Sequence, residues 1–449
     1  MNPRTFWTAL VPSSGTSRSG SAQARDGHSL RKPVAALRGL LRNPRLWAVA
    51  LLLALIAAGF ALTAPYARGW YHLRAARAEL ERYHNPQAIR HLQVVLHIWP
   101  DDPEVLLLAA RAARRARVYG DAERCLEKYQ KVRGIDDALT FEQLLLSAER
   151  NVDQVAGTCR RRVEEGDPNT PLILEALTRG YLWQYRIAEA RTALERWKEV
   201  QPDNAQVYCL DGQLNFDYVR APRAALDSYR HAVQLDSDNE EARMGVAITA
   251  LQAKLFAEAE EQLNYLRKCQ PDNLRVQVGL GECRYALGDR EQAERLVDAV
   301  LAQQPRHPSA LALRGRLALE GGQPEQAEHW LRQAVEADPE NTQARYNFVL
   351  CLNQNGKDEE AQEQNQLLKQ KEDDLKRFND VVNQELPRRP LDPALHCELG
   401  QLLLRGGHVE EGLRWLHSAL QQDPNYAPAR QALAEHYQKA RGHRSPRAN

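Results

Sequence analysis

Few side chains in this 449-residue chain are spaced to do covalent chemistry. Gly279-Leu-Gly281 lacks the third glycine and the preceding strand that a dinucleotide fingerprint needs. Asn355-Gly356-Lys357-Asp358 has no upstream glycine to make a phosphate loop and reads as a turn between helices. His84, His91 and His97 lie near one another, but not at an HExxH or His/Cys spacing that holds a metal. The seven cysteines (125, 159, 209, 269, 283, 351 and 397) form no CxxC pair. An odd, scattered set argues against a disulfide framework, so most read as small buried apolar residues. No catalytic residue, metal ligand or cofactor-binding residue is assigned, and a non-enzymatic role is expected.

What the chain does place regularly is alanine. Ala88, Ala122, Ala156, Ala190, Ala225, Ala259, Ala293, Ala327 and Ala361 stand 34 or 35 residues apart, and Pro100, Pro168, Pro202, Pro271, Pro305, Pro339 and Pro424 keep the same frame. A fixed period of this length marks stacked helical hairpins, each too small to bury its own apolar face. The unit 240–273 shows the pattern. Ala242, Val246, Ala247 and Leu251 recur at helical spacing, a break follows at Lys254-Leu255, and Ala259, Leu263 and Leu266 carry a second helix. Gln270-Pro271-Asp272-Asn273 stops it and offers caps to the next helix.

Ten such units fit: 69–102, 103–136, 137–170, 171–204, 205–239, 240–273, 274–307, 308–341, 342 to about 386, and 393–426. A capping helix is expected at 427–440, with a disordered tail at 443–449. Position 8 of the unit carries Ala76, Ala110, Leu144, Thr178, Gly212, Ala247, Gly281, Gly315, Val349 and Gly400, and position 24 carries Leu92, Leu126, Arg160, Leu194, Tyr229, Leu263, Val297, Leu331, Asn365 and Leu416. Small residues at one site let two helices approach, and the large one fills the space beside them. Residues 281–293 (GECRYALGDREQA) match a helix–turn–helix core nearly position for position.

In these positions the chain resembles the tetratricopeptide repeat family. The resemblance implies an all-α fold, a right-handed α-solenoid of about ten helix–turn–helix repeats over residues 69–442. It also implies protein or peptide partners along a concave groove lined by the first helix of each pair. Applied to units four to seven, that rule nominates Arg179, Gln213, Phe216, Met244, Ile248, Glu282 and Tyr285. The Lys and Asn set with which chaperone-binding relatives clamp a C-terminal carboxylate is not present. With a net charge of +1, no nucleic-acid partner is expected.

Three units depart from the frame. The third, 137–170, has Leu144 and Arg160 at sites that favour other residues. The fifth carries one extra residue near Tyr218–Pro222. In the ninth, a helical pattern runs on from about Asp358 to Leu386, roughly 43 Å if continuous, with Ala361, Leu368, Leu375 and Val382 seven apart. It reads as one long helix against units nine and ten, with a docking or dimerisation arm as the alternative. Arg111, Arg114, Arg115 and Arg117 form a cluster that could face solvent or meet acidic lipids or a carboxylate-bearing peptide.

Leu46–Ala67 is free of charge for 22 residues, about the thickness of a hydrocarbon core, and reads as a transmembrane helix preceding the repeats. Residues 1–45 read as a basic, largely disordered tail. Five cations before the span (Arg31, Lys32, Arg38, Arg42, Arg45) against three after it (Arg68, Arg74, Arg77) place the N-terminus in the cytoplasm. The expectation is a single-pass bacterial inner-membrane protein with extracytoplasmic repeats. Its expected role is a scaffold or assembly factor, the alternative being a regulatory adaptor subunit of an associated enzyme.

Overall fold

A computed structural model describes residues 44–219 and 221–442, and among these every regular element is helical. Antiparallel pairs follow one another in sequence order: α1 (Pro44–Glu81) and α2 (Asn85–Ile98), then α3 (Pro103–Arg115) and α4 (Tyr119–Arg133). α5 (Asp137–Arg150) and α6 (Val152–Glu164) occupy the third unit of the sequence, and α7 (Thr170–Trp183) and α8 (Ile187–Val200) make the fourth hairpin. α9 (Ala205–Gln213) and α10 (Pro222–Leu235), α11 (Glu240–Gln252) and α12 (Phe256–Cys269), α13 (Leu274–Ala286) and α14 (Arg290–Gln303) continue the series. α15 (Pro308–Glu320) and α16 (Pro324–Ala337), α17 (Thr342–Gln354) and α18 (Asp358–Asp380), and α19 (Pro393–Arg405) and α20 (Val409–Gln422) complete it before α21 (Ala427–Gly442).

The small-beside-large rule holds in atomic detail. A Cβ added at Gly212, Gly315 or Gly400 would stand 2.8, 2.5 or 2.7 Å from Tyr229, Leu331 or Leu416, closer than side chains tolerate. Sequence position 8 therefore sets how near the paired helices come. The turn inside the hairpin is equally uniform. Its fifteenth residue takes a left-handed conformation in eight hairpins, as Tyr83, Arg117, Tyr185, Lys254, Gly288, Gly322, Gly356 and Gly407. Four of those are not glycine, so four turns hold a backbone that L-residues disfavour.

The exceptions are the repeats with irregular sequence. In the third, only Asn151 separates α5 from α6. The chain also divides there into two units, residues 1–146 and 147–449. In the fifth, the extra residue is absorbed by a π-helical turn, Leu214–Tyr218, closed by Val219 N–H donating to the Leu214 carbonyl at 3.0 Å. In the ninth, α18 ends in a second π-turn, Val381–Glu385, with Leu386 N–H donating to Val381 at 2.8 Å. Of the seven-spaced stripe, Ala361, Leu368 and Val382 are buried, but Leu375 is 47% exposed.

In the first unit, Leu73, Ala76, Leu80, Leu92 and Val95 form one core cluster, and Leu106, Leu126, Tyr129 and Leu139 form the next. Of the arginine cluster, Arg117 is exposed, but Arg114 and Arg115 turn inward rather than form a solvated or lipid-facing patch. Arg114 and Arg115 are buried, Arg115 donates to the Leu80 carbonyl at 2.7 Å and stacks on Tyr83, and Arg111 binds Glu142. Among the described residues, no helix is long and apolar enough to cross a membrane. The expected span 46–67 falls within α1, and most of its side chains lie outside the described residues. The expected tails, 1–45 and 443–449, lie almost wholly outside them.

The second unit closes on itself. Tyr185, in the turn after α7, donates its hydroxyl to Glu411 Oε2 of α20 at 2.8 Å, across 226 residues of sequence. Its ring meets Tyr218, Phe378 and Trp415 at centroid distances of 5.5, 5.3 and 6.2 Å. Ile187 joins Val381, Val382, Leu386, Leu395 and Leu399 in one apolar cluster, and the Arg414 guanidinium lies 3.8 Å over the Trp183 ring. Both π-turns feed this clasp, since Tyr218 ends one and Val381 and Val382 begin the other. The long helix is thus neither a free arm nor a support for hairpins nine and ten only. It carries the contact back to hairpin four.

Candidate functional site

The second unit contains a cavity of about 640 Å³ built chiefly by the first helices of successive hairpins. Phe216, in the π-turn after α9, and Met244, Ile248 and Leu251 of α11 give it an apolar wall, with Val278 of α13. Lys254, Arg275 and Arg316 add positive charge, and Glu282 is the acid among the lining residues. The helical spacing of α11 puts residues 244, 248 and 251 on one face, which is why they share the cavity.

Its electrostatics are uneven. Burial pushes the Glu282 carboxyl above the usual carboxylate range, and the Arg316 charge partly opposes this. The Arg316 guanidinium lies 4.4 Å over the Tyr285 ring, and its buried Nε has no hydrogen-bond acceptor. Burial, then a hydrogen bond to Glu320, pushes the Tyr285 phenol up to about 12. Among the described residues, Lys254, Arg275 and Arg316 form no ion pair. Lys254 is moreover one of the four non-glycine left-handed turn residues.

Five of the seven nominated residues, Phe216, Met244, Ile248, Glu282 and Tyr285, converge on this cavity. Gln213 is half-buried one turn before Phe216 and does not line it. Arg179 is buried, with its Nε 3.3 Å from the fully buried Glu175, so it serves an internal ion pair rather than the cavity wall. Arg316 and Ser309 were missed, yet the spacing that nominated the others reaches both when applied to the next hairpin, 308–341.

The cysteine thiols are free, and five of the seven are buried. Burial pushes Cys283 up to about 12 and Cys159 and Cys351 up to about 11, far from a reactive thiolate. Among the described residues, no group of three or more His, Cys, Asp or Glu is placed to hold a metal. His91 contacts His72 at 2.7 Å and His84 contacts Glu79 at 2.8 Å, so two of the three closely spaced histidines have partners in the fold.

Two tetratricopeptide repeat family models match the sequence, over residues 278–342 and 318–385. Residues 278–385 therefore carry tetratricopeptide repeats. The matched segment holds the Gly315–Leu331 contact and the left-handed turns at Gly288, Gly322 and Gly356. Among solved structures, a tetratricopeptide repeat protein from Parabacteroides merdae is 15% identical, covering 64% of this chain and 99% of its own, with a TM-score of 0.34. PilW, a widely conserved type IV pilus biogenesis factor, is 14% identical over 59% of this chain and 98% of its own, at 0.34. A human IFIT1 dimer with m7Gppp-AAAA is 16% identical over 78% of this chain and 89% of its own, at 0.42. At these scores, the likeness carries no argument about role. No curated protein matches the sequence significantly. Repeats of this family generally mediate protein–protein interaction, which makes this repeat protein an interaction scaffold in general terms.

Proposed function

We propose that this repeat protein is a membrane-anchored, non-catalytic scaffold or assembly factor that holds peptide or protein partners in the cavity of hairpins five to nine. The observation that carries the reading is the uncovered wall of Phe216, Met244, Ile248 and Leu251, framed by unpaired cations. Apolar anchors ringed by polar groups are what protein interfaces use. A preformed wall also limits the ordering cost of binding.

The anchor is the uncharged stretch Leu46–Ala67, and the five-to-three excess of flanking cations supports a cytoplasmic N-terminus. Tethering at a bacterial inner membrane would raise the effective concentration toward other membrane components. A photoreactive amino acid at Met244 tests the reading in living cells. It should capture a discrete protein partner that the same residue at exposed Glu261 does not; equal patterns from both sites would refute it. An alkaline phosphatase fused after α21 should be active in whole cells, and an inactive but intact fusion would reverse the topology.

A further inference from the structure

We propose that the cavity selects an acidic–hydrophobic segment of its partner. A bulky apolar side chain seats on Met244, Ile248 and Leu251, and a neighbouring carboxylate is held by Arg316 with Arg275. The proposal rests on the reading of this wall as a protein-binding surface.

The case begins with a contrast to three arginines of the second unit that carboxylates satisfy. Arg230 is bonded twice to Glu258, Arg405 twice to Asp374, and Arg377 twice to Glu398 and once to Glu385. Among the described residues, Arg316 and Arg275 have no such carboxylate, and they line the cavity. Arg316 is half-buried, stacked on Tyr285, and has a buried Nε with no acceptor. A buried donor left without a partner is costly, and an arriving carboxylate oxygen recovers that cost. Stacking fixes the plane of the guanidinium in advance, so little ordering remains to be done on binding.

The rest of the wall narrows the occupant. Three cations against one acid favour an anion, while the apolar floor asks for a side chain with no charge of its own. Glu282, standing on the same wall, would repel closely spaced phosphates but tolerate one carboxylate directed toward the arginines. A volume of about 640 Å³ holds a few side chains rather than a folded domain.

The test is a displayed library of random short peptides selected against the full-length chain in detergent micelles. Enriched peptides should pair Leu, Ile, Met or Phe with an Asp or Glu within one helical turn. A fluorescein conjugate of the strongest peptide should bind at least about tenfold more weakly to Arg316→Gln. It should bind Arg316→Lys at an intermediate level, because the charge remains but the fork is lost. Glu282→Gln should bind it more tightly, a gain that misfolding cannot imitate. Enrichment of neutral or basic peptides, unchanged binding to Arg316→Gln, or displacement of the peptide by polyuridylic acid would overturn the proposal while leaving a binding groove in place. Recovery of no peptide at all would overturn the protein-binding reading along with it.

Discussion

Two stretches of the second unit use the same kind of wall in opposite ways. In hairpins five to eight, Phe216, Met244, Ile248 and Tyr285 stand half-buried around a cavity, beside cations without counter-ions. At the clasp, Tyr185, Tyr218, Phe378 and Trp415 cover one another, and the Tyr185 hydroxyl has its carboxylate. A repeat that presents an apolar, basic wall at every step would offer a long, unselective surface. Closing hairpin four onto hairpins nine and ten removes part of that surface and leaves a bounded one.

Trp415 is the sharpest place to break the comparison. It is 6% exposed and touches both Tyr185 and His396. Trp415→Ala should destabilise the second unit by about 3–5 kcal/mol, seen as a lower urea midpoint, whereas a loss below about 1 kcal/mol would mean the clasp is not packed. Tyr185→Phe keeps the ring and removes only the hydroxyl donated to Glu411. It should cost about 1–2 kcal/mol by the same measurement, with the cavity's peptide affinity unchanged.

His396 gives the clasp a pH signature. It is buried against Trp415, its Nε2 lies 2.8 Å from the Pro390 carbonyl, and its Nδ1 lies 3.1 Å from Ser418 Oγ. Burial lowers its pKa below the ordinary 6.5, although Pro390, Asp392, Asp153 and Ser418 act in the other direction. The unfolded chain therefore binds a proton near pH 6.5 that the folded histidine refuses. Stability contributed here is complete above that pH and declines as pH falls below it. His396→Gln should flatten that part of the pH–stability curve, and an unchanged slope would remove His396 from the account.

The smallest effect separates strain that is used from strain that is not. Arg117 and Tyr185 occupy the same left-handed turn position, at φ 60° and 56°. Arg117 is exposed, so Arg117→Gly should stabilise by about 0.5 kcal/mol, the relief of strain exceeding the entropy lost. Tyr185→Gly relieves the same strain but should destabilise, because the clasp loses its hub. If both variants move the urea midpoint the same way, Tyr185 is an ordinary turn residue.

Much of the fold was legible because each hairpin contacts its sequence neighbours, and neighbours leave a periodic mark. Gly315 facing Leu331 is readable from two positions of one repeat. The cavity was partly legible for the same reason, since Met244 and Ile248 follow the spacing of a groove face. Arg179 obeyed that spacing and still turned inward, because Glu175 one turn earlier supplies a buried partner that periodicity does not register. The clasp left no such mark. Its partners are 226 residues apart, and the sequence showed its two ends only as an extra residue near Tyr218 and a missing turn after Ala361. Neither irregularity says what it will touch.

The most direct test is a pulsed electron–electron resonance distance between nitroxides carried on unnatural amino acids at exposed Arg191 of α8 and His417 of α20. A clasped second unit gives one short, narrow distance that broadens when Trp415→Ala is introduced. A broad distribution at long distance in the unaltered protein would contradict the closure and, with it, the bounded cavity.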